Sequence, residues 1–402
     1  MKYVFLVGDG MGDYTISELG GKTPLAAART PHMDRIADRG EMGLAQTIPQ
    51  GCETGSDTAN LSLLGYDPKV TLTRRAPLEA ASLGVHLSEK DVAFRCNLVS
   101  LSVEDGILTM DDYSAGHIST GEARGIVEDL DRALGDDSFR FYPGVSYRHL
   151  MVWHGGAEEV DTTPPHDITG QAVRAYLDRM TSHGALLELM DRASAILKEH
   201  PVNKKRVERG LKPANHIWFW GQGYAPQLEA FKKKTGLEGA IISAVDLLKG
   251  IGVYAGLEVI TVPGATGYFD TDYEAKAEYA LSAIKDVDFV YVHVEAPDEA
   301  GHAGLLDKKI SAIEAFDAKV VGNVLEGMSG SSEFRVMVTT DHYTPISVRT
   351  HTTEPVPFAI YGTGIPAPPD GSGGFSEKSA ERQGLFVAEG YKLIQRLIRR
   401  SK

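Results

Sequence analysis

Phe289-Val290-Tyr291-Val292-His293-Val294-Glu295-Ala296-Pro297-Asp298-Glu299-Ala300-Gly301-His302 decides the fold class. A short apolar run bounded by turn residues reads as a buried strand of a largely parallel sheet. Asp298 and His302 follow just past its end. Their four-residue spacing puts them on one side of a helical turn, although Gly301 and Gly304 favour a tight loop over a long regular helix. Two other stretches repeat the plan. Tyr3-Val4-Phe5-Leu6-Val7-Gly8 leads to Asp9, and Val336-Met337-Val338-Thr339-Thr340 leads to Asp341-His342. In open α/β sheets ligands bind beyond the carboxyl ends of the strands. Three distant segments then bring carboxylates and imidazoles to one rim, and mixed Asp and His ligands suit divalent transition metals. His351, in a Thr-rich loop before Pro355-Val356-Pro357, joins them. His293, inside the strand, reads as core or as support behind the ligands.

Working outward, strand and helix candidates alternate over much of the chain. The N-terminal segment reads as strand, glycine-rich turn, then a helix with Thr30 as N-cap and Pro31 at its first position. From about 71 to 185 the character changes to short strands with one or two helices, the mark of a compact α+β module. The expectation is a core of 1–70 plus 186–402, interrupted by an inserted cap over 71–185. His216 to Trp220 is assigned to the core as one of its strands. Lys204 to Arg209 reads as a charged, solvated loop, and 364–377 as a Gly/Pro/Ser-rich surface loop.

The chain has 402 residues, enough for two or three domains, and a net charge of −14. That charge opposes broad contact with nucleic acid or an anionic membrane. An anionic substrate stays open, because bound metal ions reverse the local field. Two cysteines, Cys52 and Cys96, build neither a disulfide framework nor a Cys-rich zinc site, which fits a reducing cytosol. No signal peptide and no bilayer-spanning stretch is expected, so the expected location is cytoplasmic.

Ser56 is the nucleophile candidate. It stands between Gly55 and Asp57 at the mouth of a predicted helix, where backbone N–H groups favour negative charge. A serine hydroxyl needs a base or a metal to activate it. Ser56 as a plain N-cap is the bland alternative. Cys52, four residues upstream, is the rival nucleophile, without a local Cys-His motif. Arg95 and Arg148, on strands of the inserted segment, are candidates for gripping a carboxylate or phosphate. His166 in Thr163-Pro164-Pro165-His166-Asp167 and His117 in Ser114-Ala115-Gly116-His117 sit in loops that can face a substrate.

Together these residues resemble the alkaline phosphatase superfamily, and within it the archaeal-type 2,3-bisphosphoglycerate-independent phosphoglycerate mutases. Gly8-Asp9-Gly10-Met11-Gly12-Asp13, Ala28-Arg29-Thr30-Pro31-His32-Met33-Asp34, Gly55 to Tyr66, Pro297 to His302, Thr340-Asp341-His342 and His351 with Pro355-Val356-Pro357 carry the resemblance over essentially the whole chain. It implies an α/β, alkaline phosphatase-like core with a mainly parallel central sheet flanked by helices, and the smaller α+β cap. It implies two divalent ions, Mn²⁺ with Zn²⁺, Co²⁺ or Mg²⁺ as alternatives, and no 2,3-bisphosphoglycerate. Asp298, His302 and His351 would hold one ion; Asp9, Ser56, Asp341 and His342 would surround the other. Arg95, Asn97, Arg148, His166 and Asp167 would face the glycerate. The family's arginine after Ala115-Gly116 is His117 here. The implied reaction interconverts 3- and 2-phosphoglycerate through a phosphoserine. The alternatives are a metal-dependent phosphatase or another phosphomutase of the superfamily, and a non-catalytic metal- or phosphate-binding protein. No Walker-type loop supports an ATP-dependent kinase.

Overall fold

The computed structural model describes residues 1–71, 74–369 and 371–399. The strands in chain order are β1 (Lys2–Gly8), β2 (Glu41–Ala45), β3 (Asp91–Glu104), β4 (Ile107–Asp112), β5 (Phe139–Val145), β6 (Arg148–His154), β7 (His216–Tyr224), β8 (Gly239–Ile242), β9 (Glu258–Val259), β10 (Phe289–Val294), β11 (Phe334–Thr339), β12 (Val356–Gly362) and β13 (Phe386–Val387). They divide between two compact units, Met1–Leu72 with Gln227–Lys402, and Thr73–Pro226.

The first unit is built on an eight-stranded sheet of order β13-β2-β12-β11-β1-β10-β8-β9. The β13–β2, β11–β1, β1–β10, β10–β8 and β8–β9 pairings are parallel, and only β12 runs against its neighbours. The expected α/β class with a mainly parallel sheet is therefore what forms. The two-residue side-chain period sorts each central strand onto two faces. Val4, Leu6, Val290, Val292, Val336 and Val338 pack with the helix residues Ile313, Phe316 and Val324 in one core. Phe5 turns to the other face, 5.1 Å from the ring of Tyr291. Each such side chain, fully buried, contributes roughly 1.5–3 kcal/mol, which is why the strands read as unbroken apolar runs. The helix Pro31–Asp38 begins where expected, but Thr30 makes no side-chain cap. The buried Asp317 carboxylate instead accepts from His32 N at 3.2 Å and Met33 N at 2.7 Å. That acid comes from a π-helical turn, Phe316–Val321, too distant in sequence for a local cap signal.

The second unit carries the five-stranded sheet, β4-β3-β6-β5 with β7 also on β3. Every pairing within it is antiparallel. The helix Thr120–Leu134 opens with a Ser119/Glu122 capping box and buries Ile126, Val127 and Leu130 against this sheet's core.

Three expectations are corrected here. The inserted segment runs to Pro226, not to 185. The helix Gly184–Glu199 buries Leu186, Leu189 and Leu197 in the same core as β3. His216–Tyr224 pairs antiparallel with β3, from Val92 to Val99, so it is not a core strand. Strand and helix periodicities mark elements but do not name the sheet an element joins. The charged run Lys204–Arg209 is also no solvated loop, for it lies largely in the helix Pro201–Glu208. Arg206 is buried and bonds Glu122 at 2.8 Å and the Ala115 carbonyl at 2.7 Å. Of the stretch 364–377, Asp370 lies outside the described residues.

Candidate metal centre

The strand order places the three chemical segments side by side, since β1 is flanked by β10 and β11. Val7 pairs with Thr339; continuing that register brings Asp9 level with Asp341. Asp9 N donates to the Val294 carbonyl at 2.9 Å, which holds the chain to β10 for one residue beyond the strand. Gly10 N and His342 N donate to Asp341 Oδ1 at 3.1 and 2.9 Å. Gly10 has φ +60, and a Cβ there would lie 2.6 Å from both Asp298 Oδ1 and Thr344 Oγ1. Only glycine fits that backbone conformation and that approach without strain.

Asp298 and His302 sit on the helix Ala296–Ala303, ended by Gly304 at φ 69. It is a short helix rather than a loop, and its four-residue spacing brings the pair together. His302 Nε2 is 3.2 Å from Asp298 Oδ2 and 2.9 Å from His351 Nε2, and His351 Nε2 is 3.5 Å from Asp298 Oδ1. Metal–ligand bonds of about 2.0–2.2 Å imply ligand-to-ligand distances of about 3–3.5 Å. The three groups therefore have the spacing of one coordination face. His342 also lies within reach of Asp298 and His351.

The second group centres on His342. Its Nε2 is 3.0 Å from Ser56 Oγ, 3.4 Å from Asp9 Oδ1 and 3.5 Å from Asp341 Oδ2. Its Nδ1 is 3.2 Å from Thr344 Oγ1, which in turn donates to Asp298 Oδ1. Ser56 is half-buried and begins the helix Ser56–Leu63, whose N-cap is Gly55. Its hydroxyl is thus no N-cap; it turns to His342. Burial pushes the Cys52 thiol up, which disfavours the thiolate that a cysteine nucleophile needs.

The electrostatics call for a cation. Burial and the carboxylates of Asp341 and Asp298 push Asp9 well above the usual carboxylate range. Burial also opposes charge on Asp298, but hydrogen bonds with His302 and His351 hold it well below that range. The Asp298 hydrogen bond lifts His302 to about 9. Asp9 Oδ1 is buried with no hydrogen-bond partner. Carboxylates crowded in low dielectric cannot all ionise unless positive charge joins them. Divalent ions supply that charge, and the donor set of carboxylates, imidazoles and one hydroxyl is one they accept. Among the described residues, two trios have ligand atoms all within 4.8 Å of one another: Asp298 with His342 and His351, and Asp9 with His293 and Asp341.

Several participants were not legible as such. Asn60 is one helical turn from Ser56; its Nδ2 donates to Ser56 O and Asp341 Oδ2, both at 2.8 Å, and its Oδ1 accepts from Tyr291. Lys309 Nζ, fully buried, bonds Asp13 Oδ2 and the Thr344 carbonyl at 2.8 Å and the Gly12 carbonyl at 3.1 Å. It ties the Asp9 turn to the His342 loop. The i+4 spacing of Asn60 from Ser56 is a usable signal; nothing in the sequence marks Lys309 among the chain's other lysines.

The candidates in the second unit fall into two sets. Arg95 is buried, bonded to Glu79 at 2.8 and 3.1 Å and stacked 4.0 Å over Trp220. Asn97 accepts from Trp220 Nε1 at 3.0 Å and donates to the Tyr113 carbonyl at 3.4 Å. Arg148 and His166 are exposed. Arg148 lies 5.6 Å over Tyr147, and His166 sits 5.4 Å from Trp220 and 6.1 Å from Tyr113. Asp167 is exposed beside His166, 3.6 Å away.

Residues 37–203 match the family model described as 2,3-bisphosphoglycerate-independent phosphoglycerate mutase. The chain is 54% identical over 401 residues to the enzyme of that name from Methanosarcina acetivorans, covering 99% of this chain and 100% of the relative. It is 53% identical over 400 residues to a probable enzyme of that name from Geobacter sulfurreducens, covering 100% of both. Its fold is similar to a solved protein of Pyrococcus horikoshii, with a TM-score of 0.84 at 30% identity over 100% of this chain and 98% of that one. The cofactor-independent phosphoglycerate mutase of Thermoplasma acidophilum matches with a TM-score of 0.69 at 27% identity, over 99% of each chain. With relatives more than half identical along its whole length, the chain belongs to the 2,3-bisphosphoglycerate-independent phosphoglycerate mutases, a family of isomerases.

Proposed function

We propose that the protein interconverts 3-phosphoglycerate and 2-phosphoglycerate in glycolysis and gluconeogenesis, through a phosphoserine at Ser56 and with two divalent ions, Mn²⁺ foremost. The observation that carries this is Ser56 Oγ, 3.0 Å from His342 Nε2, an imidazole nitrogen that also faces Asp9 and Asp341. Asp298, His302 and His351 would hold one ion, and Asp9, Asp341, His342 and Ser56 the other. When bound, such ions lower the pKa of the serine hydroxyl and neutralise charge on the phosphoryl group.

Ser56 Oγ, having lost its proton, attacks phosphorus. The Ser56 O–P bond forms, the ester O–P bond breaks, and the freed glycerate oxygen takes a proton. The other glycerate hydroxyl, giving up its proton, then attacks phosphorus; its O–P bond forms, the Ser56 O–P bond breaks, and Ser56 Oγ takes a proton and returns to its starting state. Asn60 holds the Ser56 backbone and Asp341 in fixed relation during both halves. Geometry maintained within a few tenths of an ångström is what such displacements demand. In the inserted unit, Arg148 and His166 are the exposed candidates for the glycerate carboxylate. Arg95 and Asn97 shape that face by holding Trp220, and Asp167 flanks His166. Retaining glycerate until the second attack separates a mutase from a phosphatase. A cytoplasmic location, with no nucleic-acid or membrane partner, belongs to the same proposal. Two free cysteines support it, and no helix among the described residues is long and apolar enough to cross a membrane.

The test is incubation with 3-phosphoglycerate and Mn²⁺, following 2-phosphoglycerate and free phosphate separately. Wild-type protein should yield 2-phosphoglycerate, EDTA should stop it, and Ser56→Ala should be inactive with its fold intact. Free phosphate alone would make the protein a phosphatase, and full turnover by Ser56→Ala would remove the serine from the chemistry.

A further inference from the structure

Behind the Ser56 site lies a buried line of polar groups that the mechanism above does not use. His293 is fully buried on β10, and neither ring nitrogen closes a hydrogen bond. Its Nδ1 is 3.4 Å from Glu295 Oε1. Its Nε2 is 3.3 Å from Asp9 Oδ2 and 3.7 Å from Asp341 Oδ2. Glu295 is itself fixed: Lys276 Nζ bonds its Oε2 at 2.5 Å, and Ser243 Oγ and Ala244 N donate to its Oε1 at 3.0 and 2.7 Å. Lys276 also donates to the His293 carbonyl at 2.9 Å.

With Lys276 and two other donors on it, Glu295 is an acceptor, and it faces Nδ1. Nε2 faces the other way, towards two carboxylate oxygens. Asp9, His293 and Asp341 are all buried, and each offers one ligand atom within 4.8 Å of the other two, the spacing of side chains that share a metal ion. A metal-ligating histidine characteristically gives its other N–H to a carboxylate, which orients the ring. We propose that His293 Nε2 is a ligand of the cation held by Asp9 and Asp341, with Glu295 and Lys276 as the positioning pair behind it. Asp9 then bridges two imidazoles, its Oδ1 facing His342 and its Oδ2 facing His293. This rests on the metal-centre reading above and adds a ligand to the set the family resemblance implies.

The experiment uses full-length metal-free protein titrated with Mn²⁺ by calorimetry, and with Co²⁺ followed by its visible absorption. Wild-type protein should take up two ions. In His293→Leu one site should weaken by more than 100-fold and the Co²⁺ band of that site should shift. In Lys276→Met/Glu295→Gln, which keeps the histidine and leaves no uncompensated buried charge, that site should weaken about 10–100-fold. Metal-free melting temperatures monitor folding, and the double variant serves if His293→Leu does not fold. Two ions bound with wild-type affinity and an unchanged Co²⁺ spectrum in His293→Leu would overturn the assignment of His293 alone. In the double variant, the same result would overturn the role of the positioning pair and, if His293→Leu does not fold, the assignment with it. Wild-type protein that takes up no divalent ion would instead overturn the metal centre itself.

Discussion

Gly10→Ala tests whether the metal centre depends on one missing Cβ. Two costs follow from the geometry. At φ +60 an L-residue costs about 1–2 kcal/mol relative to glycine. The new Cβ would also sit 2.6 Å from Asp298 Oδ1 and Thr344 Oγ1 and 2.8 Å from Asp298 Cα. The last contact is with backbone, so rotating a side chain does not relieve it. Asp298 has to move, and its bond from Thr344 is lost, at about 1.5–3 kcal/mol for a hydrogen bond to a charged group. The sum is about 2.5–5 kcal/mol in the metal-free protein. Mn²⁺ affinity at the Asp298 site should fall at least 10-fold. Gly21→Ala is the control: φ is +78 there, with no atom within 4 Å of the Cβ, so it bears the backbone cost alone and leaves metal binding as it was. Trp153, Trp218 and Trp220 all lie in the second unit. Unfolding of the first unit is therefore followed by circular dichroism in denaturant, with calorimetry for the metal. If Gly10→Ala matches Gly21→Ala in both stability and Mn²⁺ affinity, the close approach of Gly10 to Asp298 has no consequence and the reasoning is refuted.

Lys309→Met should destabilise the first unit by about 3–5 kcal/mol, because it leaves Asp13 buried without its cation; adding Asp13→Asn should recover most of that in the same denaturation assay. Asn60→Ala removes the bonds to Ser56 O, Asp341 Oδ2 and Tyr291, and should lower stability by about 2–4 kcal/mol and Mn²⁺ affinity several-fold by calorimetry. Burial pushes Glu377 up to about 6 from an ordinary 4.5. A raised carboxyl favours the fold fully below pH 4.5, and that contribution is lost as pH rises through 6, a difference of about 2 kcal/mol. Against Glu377→Gln, wild-type protein should therefore lose about 2 kcal/mol between pH 4.5 and 7; parallel denaturation midpoints for the two proteins would contradict the burial account.

What the sequence discloses and what it withholds divide along physical lines. Strands buried on both faces must be apolar throughout, so β1, β10 and β11 announce themselves, and the acids and histidines just beyond them stand out against that background. Asp298 and His302 are legible because i,i+4 spacing survives in a helix of any length. His293 is less legible for the same reason that β10 is obvious. In a run where every residue is buried, a histidine looks like a core substitution, and only the register Val7↔His293 shows that it lies beside the Asp9 turn. Tyr291, two residues earlier and hence on the same face, meets Asn60 by the same logic. The boundary of the inserted unit failed differently. A strand such as His216–Tyr224 exposes its partners only through pairing, and β3, more than a hundred residues earlier, competes for it on equal terms with the parallel sheet. Long-range hydrogen bonding settles that competition. The chemical residues could be read because each is tied to the end of a local element; braces such as Lys309 and Lys276 could not, because they act across sequence distances that no periodicity spans.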